Sequence, residues 1–175
     1  NAAEVGELYQ QHTDDTGQVF TPLAVSIAFD LTQGQPWLVN ALAKEIVEEM
    51  VTDTDVAITP EHIHSAAEVL IKRQDTHLDS LAEKLQTNRV RAIIEPMLAG
   101  QTLGDTPSDD RQYLIDLGLL RRRDPAGGLI IANPIYREVI PRALAQGTAD
   151  SLPHISPSWL TQSGELDTEA LLEAL

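Results

Sequence analysis

The sequence predicts a mainly α chain in which a small helical bundle is followed by a second helical part that carries one β-hairpin. Apolar residues recur at helical spacing along most of the 175 residues. Proline directly follows Thr21, Thr59 and Asn133, and a capping residue before a proline is typical of a helix start. A glycine-rich turn at 124–128 separates two short apolar runs, which indicates a hairpin.

The first three helices are predicted within residues 1–55 and form the small bundle. The first spans Glu4–His12, after which a polar stretch is expected to break it. The second begins at Pro22 and ends near Gly34. The third begins at Pro36; its predicted apolar stripe is Leu38, Leu42, Ile46 and Val47, and its outward polar residues are Lys44, Glu45, Glu48 and Glu49.

Residues 52–57 are acidic, lack helical spacing and are predicted to be a linker. The second part, residues 58–148, begins with a helix at Pro60. Three further helices are then predicted: one capped by Asp75 or Thr76 and reaching Leu85, one over 88–98 that kinks or ends at Pro96, and one from a cap at Ser108 to a stop at Gly118.

A β-hairpin is predicted next, with its strands at 119–123 and 129–132. Pro134 then opens a helix in which Pro141 is expected to mark a bend. Helices followed by a hairpin and a last helix are the element order of a winged-helix domain. Residues 149–175 are predicted to be a linker and the start of a further segment, so that the chain is expected to be a piece of a longer protein.

The composition excludes several classes of protein. The chain has 12 Lys and Arg against 27 Asp and Glu, a net charge of −15, and it contains no cysteine. Disulfide scaffolds and thiolate metal sites are therefore excluded. No run of about 18 apolar residues and no basic leader with an apolar core is present. We therefore expect no membrane partner and a cytoplasmic location.

No catalytic or metal-binding residues are predicted. His62 and His64 are two residues apart, so on a helix they point to different faces, whereas a helical metal site favours a spacing of four. The sequence has neither a Gly-Lys-Ser/Thr phosphate loop nor a Gly-x-Ser-x-Gly elbow. This chain is therefore expected to have no enzymatic activity alone.

Residues Gly34, Gln35, Pro36 and Trp37 are the most informative local pattern. Glycine frees the backbone, and proline fixes the start of a helix whose N–H groups face outward. A proline beside an aromatic ring is able to pack against a planar base. The alternative is a tight turn between helices with Trp37 in the core.

Four arginines make DNA binding a second possibility. In a winged helix, the helix from Ser108 would enter the major groove and Arg121, Arg122 and Arg123 would contact phosphates, with Arg111 on the helix itself. That helix also carries three aspartates, Asp109, Asp110 and Asp116, which disfavour a duplex. The alternative is that the winged helix packs against protein and the arginines pair with nearby acids.

Several stretches resemble a family of prokaryotic AAA-like P-loop ATPases. They are 31–43 (LTQGQPWLVNALA), 72–81 (KRQDTHLDSL), 116–119 (DLGL) and 131–136 (IANPIY). Gly34-x-Pro36 is also similar to the Gly-x-Pro motif of signal-transduction ATPases with numerous domains (STAND) and of origin-recognition ATPases. In those proteins the proline lies in a helical lid and touches the adenine of the bound nucleotide.

The resemblance implies that residues 1–55 are a helical lid, that 58–148 are a winged-helix domain, and that Pro36 contacts nucleotide with Gly34, Gln35 and Trp37 beside it. The P-loop core of such an ATPase is not in this sequence, so no cofactor is expected in the chain itself. ATP or ADP with Mg is implied for the full-length protein. The expected partners are its own P-loop core and protein effector domains. Three functions remain open: a non-catalytic regulatory part of an ATPase switch, a DNA-binding module and a protein-interaction scaffold.

Overall fold

The computed structural model describes residues 1–73, 83–101, 106–123 and 127–149, and these are mainly helical with a small two-stranded antiparallel sheet. Side chains are described as far as residue 145. Residues 1–145 pack into one unit, and residues 146–175 are assigned to another. The predicted caps Asp75 and Thr76 and most of the helix they would begin lie outside the described residues, as does the segment from 150.

Helix α1 spans Ala2–Thr16 and is longer at both ends than the sequence predicted. At its start the Asn1 Oδ1 accepts a hydrogen bond from the backbone N–H of Glu4 at 3.1 Å, which satisfies an otherwise unpaired donor. The polar stretch near its end remains helical, and the hydroxyls of Thr13 and Thr16 donate to carbonyls one turn back. The helix ends at Gly17, whose φ is +82°.

Helix α2 spans Pro22–Thr32, and its predicted start is confirmed. The Thr21 hydroxyl accepts from the Ala24 N–H at 3.2 Å, and Pro22 occupies the first helical position. Helix α3 spans Pro36–Lys44 and continues as a π-helical turn over Glu45–Met50.

The prediction for Glu45 is wrong. Glu45 was expected to face solvent, but its side chain is only 8% exposed. It follows Leu38 by seven residues, so at about 100° per residue it lies within about 20° of Leu38 on the buried face of the helix. Glu45 and Ile46 are both buried.

Residues 51–59 contain no helix and are fastened to the first helices. The buried side-chain amide of Gln18 donates to three backbone carbonyls, those of Val51, Asp53 and Val56, at 3.0, 3.1 and 3.2 Å. Ile58 forms an isolated parallel bridge with Phe20. The segment predicted as a linker is therefore held in place by hydrogen bonds.

Helix α4 spans Pro60–Arg73 and packs against α2 and α3. Of its apolar residues Ile63, Ala66, Ala67, Leu70 and Ile71, the first four are buried and Ile71 is half-buried. Helix α5 spans Asn88–Leu98 and contains Pro96, so the helix does not end at this proline.

Helix α6 spans Ser108–Asp116, and the cap predicted at Ser108 is wrong. Ser108 is the first helical residue, and its hydroxyl donates to the Asp109 side chain instead of accepting from the backbone. The predicted stop is confirmed, since Gly118 has a φ of +71°. The N–H of Leu119 then bonds the carbonyl of Leu114, which closes the helix end.

The predicted hairpin is confirmed as antiparallel strands β1, Leu120–Arg122, and β2, Leu129–Ile131. Leu120 pairs with Ile131, and Arg122 pairs with Leu129. Helix α7 spans Pro134–Ala149 and continues beyond Pro141, which therefore does not end it. Its start is capped by Asn133, whose Oδ1 accepts from the Tyr136 N–H at 2.8 Å.

Candidate functional site

The 34–37 loop, residues Gly34–Trp37, joins α2 to α3 through a left-handed turn. Gln33 and Gly34 have φ values of +51° and +74°. Glycine is suited to this backbone because a Cβ makes positive φ unfavourable. The Thr32 hydroxyl accepts a hydrogen bond from the Gly34 N–H, and the Thr32 carbonyl accepts one from the Gln35 N–H. These two bonds to the last residue of α2 hold the turn.

Pro36 is exposed at the first position of α3. It borders a shallow cavity of about 130 Å³ lined by Asn1, Glu4, Val5, Leu8, Gly34, Pro36 and Val39. Pockets that enclose a small ligand have volumes of roughly 300–1,000 Å³. This cavity is therefore large enough to form one wall of a binding site but not to enclose a nucleotide.

Trp37 connects the loop to α7. Its indole Nε1 donates to the Tyr136 hydroxyl at 2.9 Å, and the two rings lie 6.5 Å apart between centroids with 32° between their planes. Burial raises the pKa of Tyr136 above its ordinary value, although the hydrogen bond from Trp37 acts in the opposite direction. The Tyr136 phenol is therefore protonated at neutral pH, and its oxygen accepts the hydrogen bond from the Trp37 indole.

Gln35 connects the same loop to the end of α6. Its side chain lies so close to Gly118 that a Cβ on this glycine would be 2.8 Å from the Gln35 Nε2. The residue before Pro36 thus contacts the end of α6, and the residue after it contacts α7. The sequence analysis missed both contacts, because nothing in the local pattern links residues that are 83 and 99 positions apart in the chain.

The four predicted arginines have different surroundings. Arg121, Arg122 and Arg123 are exposed, while Arg111 is half-buried on α6. The Arg121 Nε donates to the Ala132 carbonyl at 3.0 Å. Arg111 and Arg123 both line a cleft of about 620 Å³, the arginine cleft, whose walls are Met97, Gly100, Gln101, Arg111, Arg123, Gly128 and Leu129.

A further arginine, which the sequence analysis missed, neutralises part of α6. Arg89 on α5 bonds the Asp110 carboxylate, donates to the Asp109 carbonyl at 3.0 Å, and lies 4.3 Å above the centroid of the Tyr113 ring. Asp109 and Asp116 remain exposed on α6. The helix predicted to enter a DNA groove therefore presents carboxylates to solvent.

Glu45 and Arg73 form an internal ion pair between the π-helical turn and α4. The guanidinium donates twice, with N–O distances of 2.9 and 3.2 Å, to a carboxylate that is nearly buried. Bidentate arginine–carboxylate pairs are among the stronger polar contacts in proteins. Arg73 is 52% exposed, and both residues of the pair line a cavity of about 230 Å³ between the two elements.

Among the described ranges, no group of three His, Asp or Glu side chains is placed to hold a metal ion. Within the same ranges no helix has the length and apolar character needed to cross a bilayer. Comparisons with protein-family models, with curated proteins and with solved structures gave no match for this chain.

Proposed function

We propose that this chain is the helical lid and winged-helix part of an AAA-like ATPase of the STAND type, and that it senses bound nucleotide through Pro36. The observation that carries the proposal is the setting of this proline. It is exposed beside the shallow cavity, while the residues before and after it contact the end of α6 and α7. A contact made by Pro36 is thereby coupled to the second half of the unit.

The element order supports the two-part description. The lid comprises α1, α2 and α3, and the elements from α4 to α7, with the hairpin before the last helix, have the order of a winged helix. In this proposal the exposed face of Pro36 packs against adenine. The shallow cavity forms one wall of the site, and the P-loop core of the same protein supplies the other walls.

The chain itself is non-catalytic in this proposal, and the full-length protein binds ATP or ADP with Mg. The nucleotide must contact the lid differently in its two forms, since a ligand shifts a conformational equilibrium only by its differential affinity for the two states. The core, through its contacts with the γ-phosphate, supplies that difference. Protein effector domains are the proposed downstream partners, and the cytoplasm is the proposed compartment.

The test is the affinity of the full-length natural protein for ADP after Pro36→Ala. The change removes about two carbon atoms from the contact, worth roughly 0.8 kcal/mol each, which corresponds to an affinity about tenfold weaker. Pro22→Ala is the matched control, because Pro22 is also exposed at the first position of a helix. Equal affinities for the two variants would rule out Pro36 as the nucleotide contact.

A winged-helix DNA-binding module is the second candidate, and the exposure of Arg122 and Arg123 on the hairpin favours it. A salt-dependent gel shift with duplex DNA tests it. Replacing both arginines with alanine removes two phosphate contacts, so the slope of log affinity against log salt falls by about 2. If this 175-residue chain does not shift DNA at low salt, the module is not a DNA binder.

A further inference from the structure

We propose that an exposed apolar surface beside the start of α2 binds a basic amphipathic segment of a partner protein. This surface, the Val19 surface, consists of Val19, Leu23, Met50 and Val56, each between 38% and 61% exposed. Among the residues that the structure describes, five large hydrophobic side chains are exposed, and these four come from only two short stretches, 19–23 and 50–56. Single exposed apolar residues are common, whereas a concentration of them is typical of an interaction site.

Backbone hydrogen bonds hold the two stretches side by side. The Ile58 N–H donates to the Val19 carbonyl at 2.8 Å, and the Thr21 N–H donates to the Ile58 carbonyl at 2.9 Å. Phe20 and Ile58 are buried at this parallel bridge. Because side chains alternate along an extended chain, Val19 points to solvent, and Leu23 follows in the first turn of α2.

Gln18 fastens the second stretch to the same place. Its buried side-chain amide donates to the carbonyls of Val51 and Val56 at 3.0 and 3.2 Å. Met50 directly precedes Val51, and Val19 directly follows Gln18, so the exposed side chains flank residues that are bonded to each other. A surface that is already ordered in this way loses little conformational entropy when a partner binds.

The charge around the Val19 surface selects a cationic partner. Stretches 14–23 and 48–58 contain no lysine or arginine and six acids, which are Asp14, Asp15, Glu48, Glu49, Asp53 and Asp55. Within the described part of the chain, the four aspartates take part in no ion pair, and Glu48 lies 3.9 Å from Lys44. Lysine or arginine on a partner would be attracted to these carboxylates and steered to the surface.

The same charge disfavours the other classes of occupant. Nucleic acids and anionic lipid surfaces are negative and would be repelled by the six acids. A second copy of the chain, packed through the same surface, would place six further acids against them. An amphipathic helix with lysine or arginine on one face and apolar side chains on the other meets both requirements, since it pairs with the acids while covering the apolar residues.

The Val19 surface is separate from the 34–37 loop. Leu23 lies in the first turn of α2 and Gly34 follows its last residue, so the helical rise of 1.5 Å per residue places them about 16 Å apart. The inference is therefore independent of the nucleotide proposal, and the failure of either one leaves the other unaffected.

The experiment is an NMR titration of the ¹⁵N-labelled 175-residue chain with a synthetic peptide of about 14 residues, or four helical turns, with leucine on one face and lysine on the other. One control peptide has glutamate in place of every lysine, and a second has the same leucine and lysine residues in scrambled order. Saturable shifts of the Val19, Leu23 and Val56 amides are expected with the amphipathic lysine peptide alone. The absence of these shifts, or equal binding of either control peptide, would overturn the proposal.

Variants locate the binding, with fluorescence anisotropy of the labelled peptide as the measurement of affinity. Leu23→Ser removes the most exposed of the four side chains and is expected to weaken binding about fivefold. Leu98→Ser is the matched control, because Leu98 is also an exposed large hydrophobic residue but lies on α5, and it should leave affinity unchanged. Equal losses at the two positions would show that the peptide binds any apolar surface and would refute the site.

The contribution of charge is tested in the same assay. Asp55→Asn should weaken binding and reduce its dependence on salt, whereas Asp116→Asn, a change at an exposed acid on α6, should do neither. Equal effects of the two changes would indicate attraction to the overall charge of the chain and contradict the proposal. Self-association of the chain in sedimentation experiments that Leu23→Ser abolishes would assign the surface to a second copy and would also refute it.

Discussion

The hydrogen bond between Trp37 and Tyr136 is expected to couple the two residues energetically by about 1 kcal/mol. The perturbations are Trp37→Phe and Tyr136→Phe, singly and together, because each retains an aromatic ring and removes one partner of the 2.9 Å bond. A typical intramolecular hydrogen bond contributes a net 0.5–1.5 kcal/mol, roughly. The ring centroids lie 6.5 Å apart, near the far end of the favourable range of about 4.5–7 Å, so the hydrogen bond is expected to dominate.

Trp37→Phe also reduces buried apolar area, and the double-mutant cycle cancels that loss. The assay is urea unfolding of the 175-residue chain followed by far-ultraviolet circular dichroism, which does not depend on the tryptophan signal. Equal slopes of unfolding free energy against urea in all four proteins show that the native and denatured states are comparable.

The control cycle pairs Trp37→Phe with Tyr113→Phe, since Tyr113 packs under Arg89. Sites without shared contacts are additive within about 0.3–0.5 kcal/mol. A coupling for Trp37 and Tyr136 that lies inside this margin would refute the claim that the hydrogen bond ties the loop to α7.

Three further outcomes follow from the same structure. Arg73→Ala should lower the free energy of unfolding by about 1–3 kcal/mol in urea denaturation, because it leaves the nearly buried Glu45 carboxylate unpaired. Lys72→Ala is the control, and because Lys72 is exposed it should change the free energy of unfolding by less than about 0.5 kcal/mol. Gly118→Ala should cost about 1–2 kcal/mol in the same assay, since the backbone is left-handed there. Burial raises the pKa of Tyr9 above its usual value of about 10. The stability that this shift contributes is therefore complete below about pH 10 and is lost as the pH rises beyond it. Tyr9→Phe should weaken this alkaline loss of stability in a pH series of denaturation midpoints.

The sequence predicted the starts of the helices well where the signal is local. At Thr21-Pro22 the capping hydroxyl and the proline act on the next three residues alone, so no knowledge of the fold is needed. Gly118 is a similar case, because a left-handed residue after a helix is favoured by its own lack of a side chain. Ser108 shows the limit of such rules, since two acids in the first turn made it look like a cap while Pro107 holds that position.

Features that depend on packing between elements were not predictable. Glu45 was assigned to the polar face because it is charged, although its spacing of seven residues from Leu38 places it on the buried side, and its partner Arg73 lies 28 residues away on another helix. The arginine cleft joins Arg111 and Arg123 through the relative placement of α6 and the hairpin. The sequence analysis grouped both with Arg121 as contacts of one DNA duplex, whereas in the structure Arg121 donates to a carbonyl of its own hairpin.

The energies of the 34–37 loop define the role it is able to play in the proposed switch. A ligand that turns a two-state equilibrium from 1:99 to 99:1 needs about 5.5 kcal/mol of differential affinity. The bond from Trp37 to Tyr136 supplies about 1 kcal/mol, and the Gln35 side chain packs close to the backbone of Gly118. These contacts link the loop to α7 and to the end of α6, but they are too weak to hold either state alone. The larger share must come from contacts between nucleotide, lid and P-loop core, so weakening the Trp37 hydrogen bond should reduce the coupling between nucleotide and effector while leaving nucleotide affinity nearly unchanged.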